Sequence, residues 1–305
     1  MSKKAIPETF KAPTDLPRNE DQNQQWQLHN RSWWENNPMR YDWNQSISFP
    51  EFSKEFYAEI DKRFFSDAHT YMPWKTAPFD SLIPYDTLAE KKVLEIGVGN
   101  GSHAQLLAAH AKSFTGIDIT DYAVDSSRKR MAHAGIANAV VLRMDAEALE
   151  FADNSFDFIW SWGVIHHSAN TQKIVQEIAR TLKPGGTSVL MVYHRSLWNY
   201  YIMGGIFHGL LQGDIFKTGS LHKTVQNYTD GGMARFYSVA EWKKMVSPLL
   251  SVQKIGIYGG KAELFPIPAS PLKTAIMDCI PDSCTRYFTN TCGLGSFLVS
   301  MLKKR

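Results

Sequence analysis

In the stretch Val93-Leu94-Glu95-Ile96-Gly97-Val98-Gly99-Asn100-Gly101-Ser102-His103, three glycines and an acid stand where an apolar run gives way to a helical pattern. A turn of this kind can hold a nucleoside. Its glycines supply the backbone angles of a tight bend, and without Cβ atoms they let a nucleoside or its amino-acid tail approach the main chain. The spacing discriminates between ligands. A dinucleotide loop reads G-x-G-x-x-G, and here the position of the third glycine of that pattern is Ser102. A nicotinamide ligand is therefore disfavoured, and Glu95 can orient an ammonium group, a role with no counterpart for a pyrophosphate. Taken alone, the segment also fits a strand-to-helix turn that binds nothing.

Further polar residues fall at the ends of the neighbouring strands. Asp118 closes the second strand about twenty residues after the loop, where a carboxylate can accept hydrogen bonds from both hydroxyls of a ribose. Asp118 or Asp121 could instead cap the helix that starts near Tyr122; with both acids present, Asp121 caps while Asp118 binds. The third strand ends in Arg143-Met144-Asp145-Ala146, which sets Asp145 beside the same carboxyl edge of the sheet, in position for an adenine amino group. His166 and His167 follow the fourth strand. An imidazole, with an unperturbed pKa of about 6.5, accepts a proton near neutrality and suits a general base. The plain alternative is that one ring caps the helix near Thr171 or packs in its loop. Tyr193 and His194, at the end of the fifth strand, are reserves for the same role.

These residues need a scaffold of parallel strands and helices. Strands are expected at 92–96, 113–117, 139–143, 156–161 and 187–193, with helices between them, the signature of a doubly wound α/β sheet. Between the last two, Ile174, Ile178 and Leu182 recur every four residues and Lys183-Pro184-Gly185-Gly186 ends the helix. Residues 1–25 combine prolines with charged and amide side chains and are expected to be a disordered tail. Residues 26–88 carry five of the nine tryptophans, too much apolar area for a linker, and are expected to form a cap in which 33–43 either folds over the pocket as a lid or only packs on the helices of the sheet. Residues 89–305 make the main domain, with additions at about 196–235 and 259–295. Leu197 to Leu211 is the longest apolar stretch, too short and too interrupted to span a membrane; it is expected to be a buried helix, with contact to a lipid or a greasy substrate as the alternative. A helix near 238–245 and strands at 252–258 and 296–302 complete the pattern.

Bulk properties narrow the partners. With 305 residues, 44% hydrophobic and 21% charged, the chain can bury a full-sized core. A net charge of +3 without a basic cluster argues against nucleic acid. Cys279, Cys284 and Cys292 have no zinc-ligand spacing, and read as free thiols of a cytoplasmic protein with no metal site.

Together the glycine loop, Asp118, Asp145-Ala146 and Leu182-Lys183-Pro184-Gly185-Gly186 resemble the class I S-adenosylmethionine-dependent methyltransferases, over about residues 91–193. The resemblance implies a seven-stranded Rossmann-like sheet with an antiparallel last strand, S-adenosylmethionine as cofactor and S-adenosylhomocysteine as product. It assigns cofactor contacts to Glu95, Gly97, Gly99, Gly101, Asp118, Ile119, Asp145, Ala146 and Trp162. The segment from Ser155 to His167 is similar to the fourth-strand region of quinone and sterol methyltransferases, which points to O- or C-methylation of a small molecule and makes His167 the preferred base. A non-catalytic cofactor-binding subunit and, further off, a nicotinamide oxidoreductase are the competing readings. The acceptor and the oligomeric state stay open.

Overall fold

The computed structural model describes residues 6–42, 45–265 and 270–305. Three helices come first, α1 (Glu20–Asn36), α2 (Lys54–Tyr71) and α3 (Tyr85–Leu88), and strands then alternate with helices: β1 (Lys92–Ile96), α4 (Ser102–His110), β2 (Ser113–Asp118), α5 (Asp121–His133), β3 (Ala139–Arg143), β4 (Phe156–Trp162), α6 (Thr171–Thr181) and β5 (Leu182–His194). A π-type helix, Leu197–Leu211, leads to α7 (Asp214–Thr218), α8 (Leu221–Asn227), β6 (Phe236–Tyr237) and α9 (Val239–Val246). The chain closes with β7 (Ser251–Tyr258), α10 (Pro271–Asp278), α11 (Asp282–Arg286) and β8 (Phe297–Lys303).

The sheet runs β3-β2-β1-β4-β5-β8-β7, with the short β6 beside the end of β5. Every pairing from β3 to β5 is parallel, and β8 lies antiparallel to both β5 and β7. Strand β1 shows why the central strands read as unbroken apolar runs: Val93 packs with Phe114, Phe158 and Trp160 on one face, while Leu94 and Ile96 pack with Ile159, Ile174 and Ile178 on the other. Strand order reverses between β1 and β4. At such a switch point the two flanking loops diverge and leave a crevice outside the carboxyl ends of the strands.

Two expectations fail here for physical reasons. Residues 6–19 are not a loose tail, because Phe10 is fully buried, edge-on to Trp26 at 5.5 Å and to His222 at 4.7 Å. The buried Arg235 holds the same segment by donating to the carbonyl of Asp15 at 2.8 Å, and it also donates to the carbonyls of Ser168 and Ala169. One aromatic and one guanidinium thus outweigh an otherwise polar composition. The helix Leu197–Leu211 is not buried either. Only Tyr200, Gly204 and Gly209 are, since α8 packs so tightly on Gly204 that a Cβ there would lie 2.4 Å from Val225. The opposite face points outward, with Leu211 73% exposed. No helix among the described residues is long and apolar enough to cross a membrane.

Candidate functional site

The crevice between β1 and β4 opens into a cavity of about 470 Å³, walled by the glycine loop, the ends of β2 to β5, helices α1 and α2, and residues 38–41. Glu95, Gly97, Gly99, Asp118, Ile119, Asp145, Ala146 and Trp162 all line it.

Glu95 sits at the back. Its carboxyl group is buried, its Oε2 has no hydrogen-bond partner among the described residues, and burial, reinforced by nearby Asp118, pushes its pKa well above the usual carboxylate range. A buried acceptor in this condition is costly unless a ligand supplies a donor. Asp118 is also buried, and burial raises it, but four donors oppose that effect. Three of them have fixed geometry: the Gly99 amide at 3.1 Å, and the Thr120 amide and hydroxyl at 3.0 and 2.9 Å. The loop and the acid are therefore one rigid unit. Helix α5 is capped by Thr120 rather than by Asp121, which instead pairs with Arg31 and Arg143.

Gly101 does not line the cavity. It turns the chain into α4 at φ +80°, and a Cβ there would press on Ser127 Oγ at 3.0 Å and Arg130 Cδ at 3.1 Å, so its role is close packing of α4 on α5. This corrects its assignment as a cofactor contact.

Helix α1 roofs the cavity. Its inward stripe Asn23, Gln27, Asn30, Trp34 follows helical spacing, and Gln27, Asn30 and Trp34 line the space below. Gln27 donates to Asp145 at 2.8 Å and accepts from the Ala169 amide at 3.0 Å, while Asn23 donates to Glu147 at 2.8 Å. At its other end Glu35 accepts from the Asp121 and Tyr122 amides at 2.8 and 3.0 Å, giving the N-terminus of α5 a carboxylate from outside. Asn100 of the glycine loop donates to the Met39 carbonyl at 2.7 Å. Trp43, assigned to the lid from sequence, lies outside the described residues.

The four residues considered for base chemistry separate. His167 lines the cavity, and its Nδ1 donates to the Met233 carbonyl at 2.7 Å, which makes Nε2 the basic nitrogen. Tyr193 also lines it, but its hydroxyl donates to Asp230 at 2.6 Å, and burial, followed by the charge of Asp230, pushes its pKa well above that of a free phenol, so it is a proton holder and not a base. His166 is packed behind, its ring 3.9 Å from that of Tyr193; burial, with His167 and Arg235 nearby, keeps it neutral. His194 is turned away to the Gly295 carbonyl at 2.8 Å and is absent from the lining. His166, His194 and Tyr193 are thereby corrected as candidate bases.

Sequence reasoning missed several lining residues: His103, held neutral with a pKa of about 3 by burial among aromatic rings, Asp67 and Tyr71 of α2, Met191, Asp230 and Phe297. For α2 a signal existed, since Ile60, Phe64, Asp67 and Tyr71 share one helical face and an acid on such a stripe is unusual.

Comparison with known proteins extends this picture. Residues 94–190 match the family model described as "Methyltransferase domain". The chain is similar to the 27-O-demethylrifamycin SV methyltransferase of Amycolatopsis mediterranei, 34% identical over 104 residues that cover 33% of this chain and 38% of that protein. It is also similar to the tRNA U34 carboxymethyltransferase of Methylococcus capsulatus, 36% identical over 104 residues, 34% of this chain and 32% of that protein. The aligned stretch thus spans well under half of either relative. The second of them shows that the charge argument does not exclude nucleic acid. Among solved structures, geranyl diphosphate C-methyltransferase from Streptomyces coelicolor A3(2) superposes with a TM-score of 0.54 at 11% identity, covering 95% of this chain and 100% of that one, which establishes a shared fold. Residues 94–190 thus match a methyltransferase domain, and with its glycine loop, the acid at the end of β2 and the antiparallel β8 the chain is similar to the class I S-adenosylmethionine-dependent methyltransferases.

Proposed function

We propose that this chain is an enzyme that transfers a methyl group from S-adenosylmethionine to an oxygen or carbon of a small-molecule acceptor held beneath α1. The observation that carries the cofactor assignment is the partnerless buried oxygen of Glu95 at the wall of the cavity. An ammonium group would satisfy it, and the ring of contacts around Asp118 suits a ribose. When bound, S-adenosylmethionine supplies an activated methyl group on a sulfonium.

The chain's own residues have three tasks. Glu95, Asp118 and Asp145 fix the nucleoside and its tail, α1 and residues 38–41 keep water from the reacting atoms, and His167 takes the proton that an oxygen or carbon acceptor gives up. A cavity of about 470 Å³ suits a small molecule better than a polymer, and no basic surface is needed. The three exposed cysteines suit a reducing compartment, in keeping with a cytoplasmic enzyme.

Calorimetric titration tests the reading. S-adenosylhomocysteine should bind and NADH should not. Asp118→Ala, which removes charge-assisted hydrogen bonds to ribose, should weaken S-adenosylhomocysteine by about 1.5 to 3 kcal/mol. Binding of NADH alone, or an Asp118→Ala variant with undiminished affinity, would be evidence against it. Incubating cell extracts with the enzyme and labelled cofactor, followed by mass spectrometry, then identifies the acceptor.

A further inference from the structure

Part of the cavity wall has no use in holding a nucleoside: Tyr41, Asp67, Tyr71, Tyr193, Asp230 and Phe297. Its two charged groups, Asp67 and Asp230, are both acids. The Asp67 carboxylate has no hydrogen bond or ion pair among the described residues; the Thr70 hydroxyl donates to the Asp67 backbone carbonyl instead. Asp230 accepts from Tyr193 at 2.6 Å and is matched by no cation among the described residues. Arg63 also lines the cavity, but its charge is already committed to Glu59 at 2.8 Å, and its other donors go to the carbonyls of Tyr41 and Gln45. The two acids face a common set of rings. Burial first, then Asp230 and Asp67, raises the Tyr41 hydroxyl, while Tyr71 and Phe297 lie 5.3 Å apart, ring to ring.

Asp230 is partly buried and Asp67 is exposed beside the cavity, and two carboxylates left without a cation repel any anionic ligand. A cation would neutralise them, and electron-rich ring faces add to its attraction. Resting on the methyl-transfer reading above, we infer that the acceptor is an amine held through its protonated nitrogen, with Asp67 and Asp230 as counter-charge and Tyr41, Tyr71 and Phe297 as the aromatic wall. The ammonium is a handle, and no bond-making step is added at it.

The experiment uses the full chain saturated with S-adenosylhomocysteine, titrated by calorimetry at pH 7 with 2-phenylethylammonium, 2-phenylethanol and 3-phenylpropanoate. The ammonium should bind at least about tenfold more tightly than the alcohol, the size expected of one charge-assisted contact, and the carboxylate most weakly. Asp67→Asn, nearly the same shape, should erase that preference while S-adenosylhomocysteine still binds, which also reports a folded variant. If the native chain fails to bind S-adenosylhomocysteine, the methyl-transfer reading itself falls. If it binds but the alcohol or the carboxylate equals the ammonium, or none of the three binds, this inference alone is overturned. The same holds if Asp67→Asn keeps the ammonium preference.

Discussion

Replacement of Gly99 by valine should remove detectable S-adenosylhomocysteine binding while leaving a folded protein. The backbone at Gly99 has φ +51°, and a Cβ built there meets no atom within 4 Å, because it would project into open space beside the cavity that Gly99 lines. A valine would fill that space with two methyl groups. It would also strain the backbone, since a β-branched residue in the left-handed region costs on the order of 1–3 kcal/mol. Any relief of that strain moves the Gly99 amide, which holds Asp118 at 3.1 Å, and the Gly99 carbonyl, which accepts from Ser127 at 3.0 Å. Steric exclusion and displacement of the acid thus act together, and a loss of more than about a hundredfold, roughly 2.7 kcal/mol, is expected. Gly99→Ala separates the two effects by keeping the strain with less volume, and should bind with intermediate affinity. Calorimetry paired with a thermal melt gives the result, and retained affinity in a folded Gly99→Val protein sinks the cofactor assignment.

Such a prediction was open from sequence because the nucleotide side of the site is built from local pattern. Glu95, Gly99, Asp118 and Asp145 each lie at the carboxyl end of a strand or in the loop that follows it, and a parallel sheet brings strand ends together by topology. The strands themselves were readable for the same reason: Val93 and Leu94 face opposite cores, so both must be apolar. What could not be read was whatever depends on contact between distant segments. Asp67 and Asp230 lie 163 residues apart in the chain (230 minus 67) and meet only because α2 and the turn after α8 close on one chamber. The anchoring of the N-terminal segment hangs on Phe10 and Arg235, which no periodicity connects. The exposed face of Leu197–Leu211 was misread because hydrophobic content alone does not say which neighbours arrive to cover it; α8 covers one side only. Gly101 matched the loop pattern and still faces away, since the motif includes a glycine needed for helix packing as well as those beside the ligand.

His167→Ala should lower turnover by about a hundredfold or more with cofactor affinity unchanged, the usual size of a general-base contribution. The argument is geometric. The Met233 carbonyl can only accept, so Nδ1 carries the proton and Nε2 keeps its lone pair. Trp34 of the roof stands edge-on at 5.0 Å and Tyr193 at 5.5 Å, which fixes the ring plane. A structural role would give the same loss by a different route, because the His167 contact to Met233 steadies the turn that carries Asp230. His167→Asn distinguishes them: its amide can still donate to the Met233 carbonyl but has no basic nitrogen. A base predicts that asparagine is as inactive as alanine and that the acidic limb of the rate profile disappears in both. Recovery of turnover by asparagine would make His167 a positioning residue. Full turnover in both variants would mean that the acceptor loses no proton in the rate-limiting step, because His194 is turned out of the cavity and Tyr193 stays protonated, its hydroxyl hydrogen bonded to Asp230.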